Sequence, residues 1–412
     1  MRFLLPLLLL ITLCTCRRAQ PVEFDYPTPV DTRTVPIQLH EPRDWTFGDV
    51  TFDTRFAASR LNDVTQIAPD SFCVLIAAEN QPINKSPWYA FRLTSATTDS
   101  LHLEFAYEGS PYHRYHPKLS TNGTTWTRAD SAAITRLPAT QSIRLSLGLT
   151  TGQPLYVAAQ DVISAARTEQ RTDSILLASP RVKKSVIGTS KRGRDIPRYH
   201  LRDTLRSDKL PTIVILSRQH PPEVTGYLAL EHFLAGIVTD PRLDRLLANY
   251  QFLIYPLVNP DGVDLGHWRH NAGGIDLNRD WTNYLQPEVK AVTDDVFNHN
   301  WKVRAPIVLG LDFHSTNEDV FYTHIDEVEP DNNFPGFKDR WLAALERGIG
   351  GDYDLNEEAE PIGKPTSMSW FRVQFGAEGI TYEVGDDTPR DFLARKGRVA
   401  ARTLIDELLM RP

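Results

Sequence analysis

Two short runs, Thr212-Ile213-Val214-Ile215-Leu216 and Ile307-Val308-Leu309-Gly310-Leu311, are apolar at nearly every position and rich in β-branched residues. A strand with one wet face alternates apolar and polar side chains. Continuous runs of this kind therefore predict strands covered on both faces, the habit of a parallel sheet flanked by helices. The first run leads through His220-Pro221-Pro222-Glu223 into Tyr227 to Ile237, which reads as a helix, so His220 and Glu223 fall on the strand-to-helix loop. The second run continues through Asp312-Phe313 to His314. Parallel strands open onto a common edge at their C-terminal ends, which would bring the two histidines together.

Zinc takes imidazole nitrogen and carboxylate oxygen, and a catalytic zinc site has three protein ligands with its fourth position open. His220, Glu223 and His314 form such a set, for one Zn2+ per chain. An HxxE spacing alone arises often by chance, and a lone histidine ending an apolar run is usually a core residue. The intervening and following motifs make the set specific: Asn259-Pro260-Asp261-Gly262, Trp268-Arg269, Asp276-Leu277-Asn278-Arg279, and finally Thr381-Tyr382-Glu383-Val384. In this order they resemble the signature of the M14-type zinc carboxypeptidases, over roughly the last 260 residues. Upstream, Ser86-Pro87-Trp88-Tyr89-Ala90-Phe91-Arg92, Tyr115-His116-Pro117-Lys118-Leu119-Ser120 and Asn122-Gly123-Thr124-Thr125-Trp126 look like the N-terminal β-domain of the cytosolic-carboxypeptidase-like branch.

The resemblance implies a role for each matched position. His220, Glu223 and His314 would hold zinc, whose charge acidifies water. Asp276 would accept the outer ring proton of His220 and fix its tautomer. Glu383 would serve as general base and then general acid. Arg269 would stabilise the carbonyl oxygen as it becomes negative. Asn278 and Arg279 would clamp the terminal carboxylate of a peptide substrate, because a guanidinium forks two hydrogen bonds onto a carboxylate. Met368 and Thr381 would line the pocket for the terminal side chain, and an apolar methionine there argues against lysine or arginine as the preferred residue. Pro361 stands where the family's mobile tyrosine is expected; Tyr322 and Tyr353 are the candidate replacements.

The 412 residues allow two to three domains, and a 41% hydrophobic content is enough for buried cores. A net charge of −7 with only short basic pieces near Lys183 and Lys191 gives no electrostatic footprint for nucleic acid. Phe3 to Leu13 is almost wholly apolar, too short to span a bilayer and suited to a secretory signal. Cys16, or Cys14 as second choice, then resembles the acylated residue of a lipoprotein; the alternative is an ordinary signal cleaved a few residues later. Either reading predicts export to the periplasm or cell surface, with the membrane met only through that anchor. Cys73 remains alone, so no intrachain disulfide is expected and the side chain should be buried.

Residues 1–16 thus read as a signal, and 17–45, proline-rich and polar, as an extended tether. Residues 46–150 carry short alternating runs separated by Asn, Gly, Pro and Ser, such as Leu101 to Tyr107 and Ile143 to Leu147, the pattern of an all-β sandwich. Within it, Trp88, Tyr89, Tyr112 and Trp126 suit either core packing or an exposed glycan-binding face. Residues 151–412 alternate strands and helices, which predicts an α/β domain: a mixed, largely parallel sheet with helices on both faces. The expected activity is that of a monomeric carboxypeptidase on peptides with a free C-terminus. Its alternatives are a peptidoglycan-peptide hydrolase or N-acyl amino acid deacylase of the same fold, or a surface module that binds glycan or protein with an inactive catalytic domain.

Overall fold

Alternate side chains of the first apolar run enter different cores. Ile213 and Ile215 pack with Leu230, Phe233 and Leu404, whereas Val214 and Leu216 pack with Val289, Val292, Trp370 and Phe371. Each such side chain contributes roughly 1.5–3 kcal/mol when fully buried, so helices on both faces satisfy what an unbroken apolar strand demands. The computed structural model describes residues 21–22, 32, 34–108, 112–325 and 332–410. The expected signal, Cys14, Cys16 and about half of the expected tether lie outside the described residues.

Eight strands form the large sheet, in the order Val182–Thr189, Asp195–Leu201, Gln251–Tyr255, Thr212–Ser217, Ile307–Thr316, Glu378–Gly385, Val320–His324 and Glu357–Glu360. The four central strands, Gln251–Tyr255 through Glu378–Gly385, are parallel to one another. Antiparallel pairings on either side make the sheet mixed. Val224–Val238 and Arg390–Leu409 pack together over one face, and Pro287–Asn298 and Ser367–Phe375 cover the other. No described helix is long and apolar enough to cross a membrane.

Glycine permits one approach on which the site depends. A Cβ on Gly226 would lie 2.2 Å from the carbonyl oxygen of His314. The bare backbone therefore lets the helix that begins just after Glu223 lie directly on the His314 strand.

The strand-rich N-terminal region forms two sheets. Asp44–Phe47, Val50–Asp53, Ala90–Ser95, Leu155–Ala158, Lys118–Ser120 and Thr127–Arg128 make the six-stranded one. Asp63–Ala68, Ser71–Ile76, Ser100–Tyr107, Ser142–Gly148 and Ile134–Leu137 make the five-stranded one. Leu155–Ala158 pairs with both Ala90–Ser95 and Lys118–Ser120, so this sheet uses residues beyond the expected boundary at 150. Val157 and Ala158 are fully buried there, but a four-residue strand is too short to show its allegiance through alternation.

One expectation needs correction. Cys73 is half-buried, because in Ser71–Ile76 the inward positions are Phe72, Val74 and Ile76. Of the two readings of the sandwich aromatics, core packing holds for Trp88 and Tyr89, which are buried, while Trp126 and Tyr112 are half-buried. Trp88 donates from its indole to Ala58 O at 2.8 Å and packs beside Gly266 of the downstream region. A side chain at Gly266, where φ is +62°, would meet Ser59 O at 2.7 Å, so glycine allows the two regions to touch.

Candidate active site

His220 and Glu223 sit where the Thr212–Ser217 strand gives way to the Val224–Val238 helix, with Glu223 at its N-cap position. His314 is eight residues into the neighbouring Ile307–Thr316 strand. One ligand atom from each of the three residues lies within 4.8 Å of the others, and all three side chains are buried. Glu223 makes no helix-capping bond; its two oxygens lie 2.8 Å from His220 Nδ1 and 2.6 Å from His314 Nδ1. Both rings thus turn Nδ1 inward. Behind them, Asp276 Oδ1 lies 2.9 Å from His220 Nε2 and Asp312 Oδ2 lies 2.9 Å from His314 Nε2. Two inward imidazole nitrogens, one carboxylate and a second carboxylate behind each ring fit the donor set and orientation that zinc uses.

Charge is balanced at short range. Burial alone would raise Glu223, but His220 and His314 outweigh it and hold the carboxyl well below its usual range. Burial likewise opposes ionisation of Asp276, and Arg269 with His220 keeps its carboxyl well below normal. Arg269 donates from Nε to Asp276 Oδ2 at 2.6 Å and reaches within 4.0 Å of Glu223 through an Nη nitrogen.

Glu383 lies on the Glu378–Gly385 strand, paired in register with His314 on the parallel neighbour. Its Oε2 is buried without a hydrogen-bond partner. Burial, and then the nearby Glu223 charge, push this carboxyl up to about 8. A divalent cation in the cradle would pull it back down. The arrangement puts a proton-accepting group at the edge of the metal cradle.

A cleft of about 280 Å³ is lined by His220, Glu223, His314, Arg269, Asn278, Arg279, Met368, Thr381 and Glu383. Asn278 is anchored through its side-chain oxygen to Ser367 N at 2.9 Å, and Arg279 donates to Asn278 O at 2.8 Å. Met368, one residue into Ser367–Phe375, and Thr381 form part of the wall with Thr366 and Ser369. Pro361 and Tyr322 also line it. Tyr353 instead packs on Phe392 and Lys396 outside the cleft, which removes it as a substitute for the missing tyrosine.

Asp312 and Arg114 were not singled out from sequence. Asp312 had a usable signal, since residues two apart on a strand share a face and His314 is its i+2 neighbour. Arg114 had none. It reaches from the sandwich to Asp386 Oδ2 at 2.7 Å, Ser86 Oγ at 2.8 Å and Ser315 O at 3.3 Å, and lines the cleft. Lys364, bonded to Glu360, lies on the cleft wall as well.

A buried two-histidine, one-carboxylate cradle at the C-terminal edge of a mixed α/β sheet, flanked by a glutamate and guanidinium groups, has the donor set and surroundings that a single-metal hydrolytic centre requires. Comparison with known proteins supplies the family: the one described as zinc carboxypeptidase matches residues 169–399, and the chain belongs to that family. Cytosolic carboxypeptidase 6 of Caenorhabditis elegans is 30% identical over 162 residues, covering 37% of this chain and 34% of the relative. Cytosolic carboxypeptidase 3 of Mus musculus is 32% identical over 117 residues, covering 27% of this chain and 12% of the relative. The matched segment thus spans about a third or less of these relatives. A metallo-carboxypeptidase from Burkholderia cenocepacia shares the fold with a TM-score of 0.71 at 20% identity, over 87% of this chain and 98% of the other. A metallo-carboxypeptidase from Pseudomonas aeruginosa gives 0.70 at 20% identity, over 87% and 99%.

Proposed function

We propose that the protein is an exported zinc-dependent carboxypeptidase that removes C-terminal residues from peptides. The observation that carries this reading is one cleft holding the cradle, Glu383 and the Asn278–Arg279 pair. His220, Glu223 and His314 would hold zinc, which when bound acidifies water and polarises the scissile carbonyl. Asn278 and Arg279 bind the terminal carboxylate and set the register of the peptide. Arg269 donates to the carbonyl oxygen as negative charge develops there, an interaction stronger in the transition state than before it. Glu383 takes the proton of the attacking water and delivers it to the departing amine. Met368, Thr366, Ser369 and Thr381 then receive an uncharged terminal side chain better than lysine or arginine.

Strand geometry orients the peptide. Along Glu378–Gly385, Thr381 precedes Glu383 and Asp386 follows the strand, so Arg114 and Ser315 lie across the cradle from the terminal pocket. They face the part of the peptide upstream of the scissile bond. Export rests on the apolar Phe3 to Leu13 stretch and Cys16.

A library of peptides varied at the C-terminus, with and without chelator, tests the function. Single-residue release from free C-termini is expected, with poor turnover of terminal lysine and arginine, loss on chelation and recovery with zinc. Equal cleavage of C-terminally amidated peptides would remove the carboxylate clamp from the account, and preference for N-acyl amino acids over peptides would favour a deacylase. Arg279→Ala should raise KM roughly 10- to 100-fold, the worth of a charged hydrogen-bonded pair, with a smaller effect on kcat. An unchanged KM in steady-state kinetics would show that the terminal carboxylate binds elsewhere.

A further inference from the structure

Glu79 leaves the sandwich three residues after the Ser71–Ile76 strand and is fully buried. Its carboxylate accepts the backbone N–H groups of three consecutive residues from the other region. Oε2 takes Trp268 N at 2.7 Å, and Oε1 takes Arg269 N at 3.0 Å and His270 N at 2.6 Å. Asn80 continues the attachment: its side chain meets His270 Nδ1 and donates to Gly274 O at 3.0 Å. This segment carries Arg269 and leads to Asp276, which accepts from Arg269 Nε and holds His220. A continuous path of hydrogen bonds therefore runs from a sandwich carboxylate to the metal cradle.

Burying a carboxylate is costly unless it is fully hydrogen-bonded. Three amide donors, with the Arg60 guanidinium nearby, meet that demand; burial alone would raise the Glu79 carboxyl, but His267 and His270, then Arg60 and the Trp268 amide, hold it below its usual range. A loop could be anchored more cheaply by water. What the carboxylate adds is a fixed direction for three successive peptide planes, the middle one belonging to Arg269.

We propose that Glu79 is a positioning residue of the reaction: by gripping the Trp268–His270 backbone it aims the Arg269 guanidinium at the place where the carbonyl oxygen becomes negative. This rests on the role given to Arg269 above. The sandwich is accordingly a working part of the active site. Misplacing a stabilising group by about 1 Å costs on the order of 100-fold in rate, so loss of the grip is expected to appear in kcat.

The test compares full-length zinc-loaded wild type with E79Q, E79D, N80A, R269A and the double variant E79Q/R269A on one cleavable peptide. E79Q is expected to lose roughly 10- to 100-fold in kcat with KM within about twofold and zinc stoichiometry unchanged, and N80A to lose less in the same direction. E79D, one methylene shorter, should fail to rescue. In the R269A background E79Q should cause no further loss, because a residue acting through Arg269 has nothing left to aim. Multiplying losses in the double variant would overturn the proposal, as would a wild-type kcat in E79Q. Should E79Q not fold, N80A with N80A/R269A makes the same comparison, and multiplying losses there count equally against it. An R269A variant with full activity would sink the role of Arg269 itself and this inference with it, whereas a collapse of R269A beside an intact E79Q sinks the inference alone.

Discussion

Replacing Glu383 by glutamine is expected to lower kcat by about 10²- to 10⁴-fold, the range for a positioned acid–base group, while one zinc per chain stays bound. The amide preserves shape and cannot accept the proton of the attacking water. Glu383 is outside the His220, Glu223 and His314 cradle, yet stands in register beside His314, so its loss touches proton transfer and spares the ligand set. His314→Ala should behave in the opposite order: metal is lost, and activity with it. The His314 ring lies against the carboxylates of both Glu223 and Asp312. Removing it takes one partner from each of two buried acidic groups, Glu223 keeping His220 and Asp312 keeping Gln219 and Ser367, which also destabilises the fold. Metal analysis of both variants beside single-turnover kinetics separates the cases. A Glu383→Gln protein that hydrolyses peptide at near the wild-type rate would dismiss Glu383 as the base.

Acid should unfold the protein over a narrow range. His40, His113, His200, His267, His299 and His324 are all pushed down to about 4, in each case first by burial. An unfolded histidine titrates near 6.5. Above that value neither state carries the protons. Between 6.5 and 4 the unfolded chain binds them and the folded chain does not, so stability falls as pH falls through this window. Each histidine contributes up to about 1.4 kcal/mol per pH unit, less for those partly open to water, against a total stability of roughly 5–15 kcal/mol. Midpoints of thermal or urea unfolding should therefore drop steeply from pH 6.5 downward, with loss of the fold before pH 4. At pH 5.5, calorimetry in buffers of differing ionisation enthalpy should register uptake of about five protons from these six groups on unfolding. A midpoint that stays flat from pH 7 to 5 would mean that these rings are ionised in the folded state.

Much of the downstream fold could be read locally. Thr212 to Leu216 and Ile307 to Leu311 announced covered strands because the absence of alternation leaves a strand no wet face. His220 and Glu223 were placeable on a loop because the apolar strand stops just before them and helical periodicity begins just after. In the sandwich the same approach was weaker. Cys73 sits among apolar neighbours, so parity, set by pairing with Asp63–Ala68 and Ser100–Tyr107, decided which residues face inward. Leu155–Ala158 joined that sandwich because two strands distant in sequence offered it hydrogen bonds on both edges.

The amino-acid order alone determined which segments are strands or helices and which side chains can donate to a metal, since propensity, periodicity and donor chemistry are properties of a few neighbouring residues. Only the tertiary structure decided that Asp312 stands behind His314, that Arg114 enters the cleft from the sandwich, and that Glu79 grips the backbone of Arg269, 190 residues away. Such pairings are set by how packed layers come to rest against one another, and a carboxylate carries no local mark of the distant amide that will satisfy it once water is excluded.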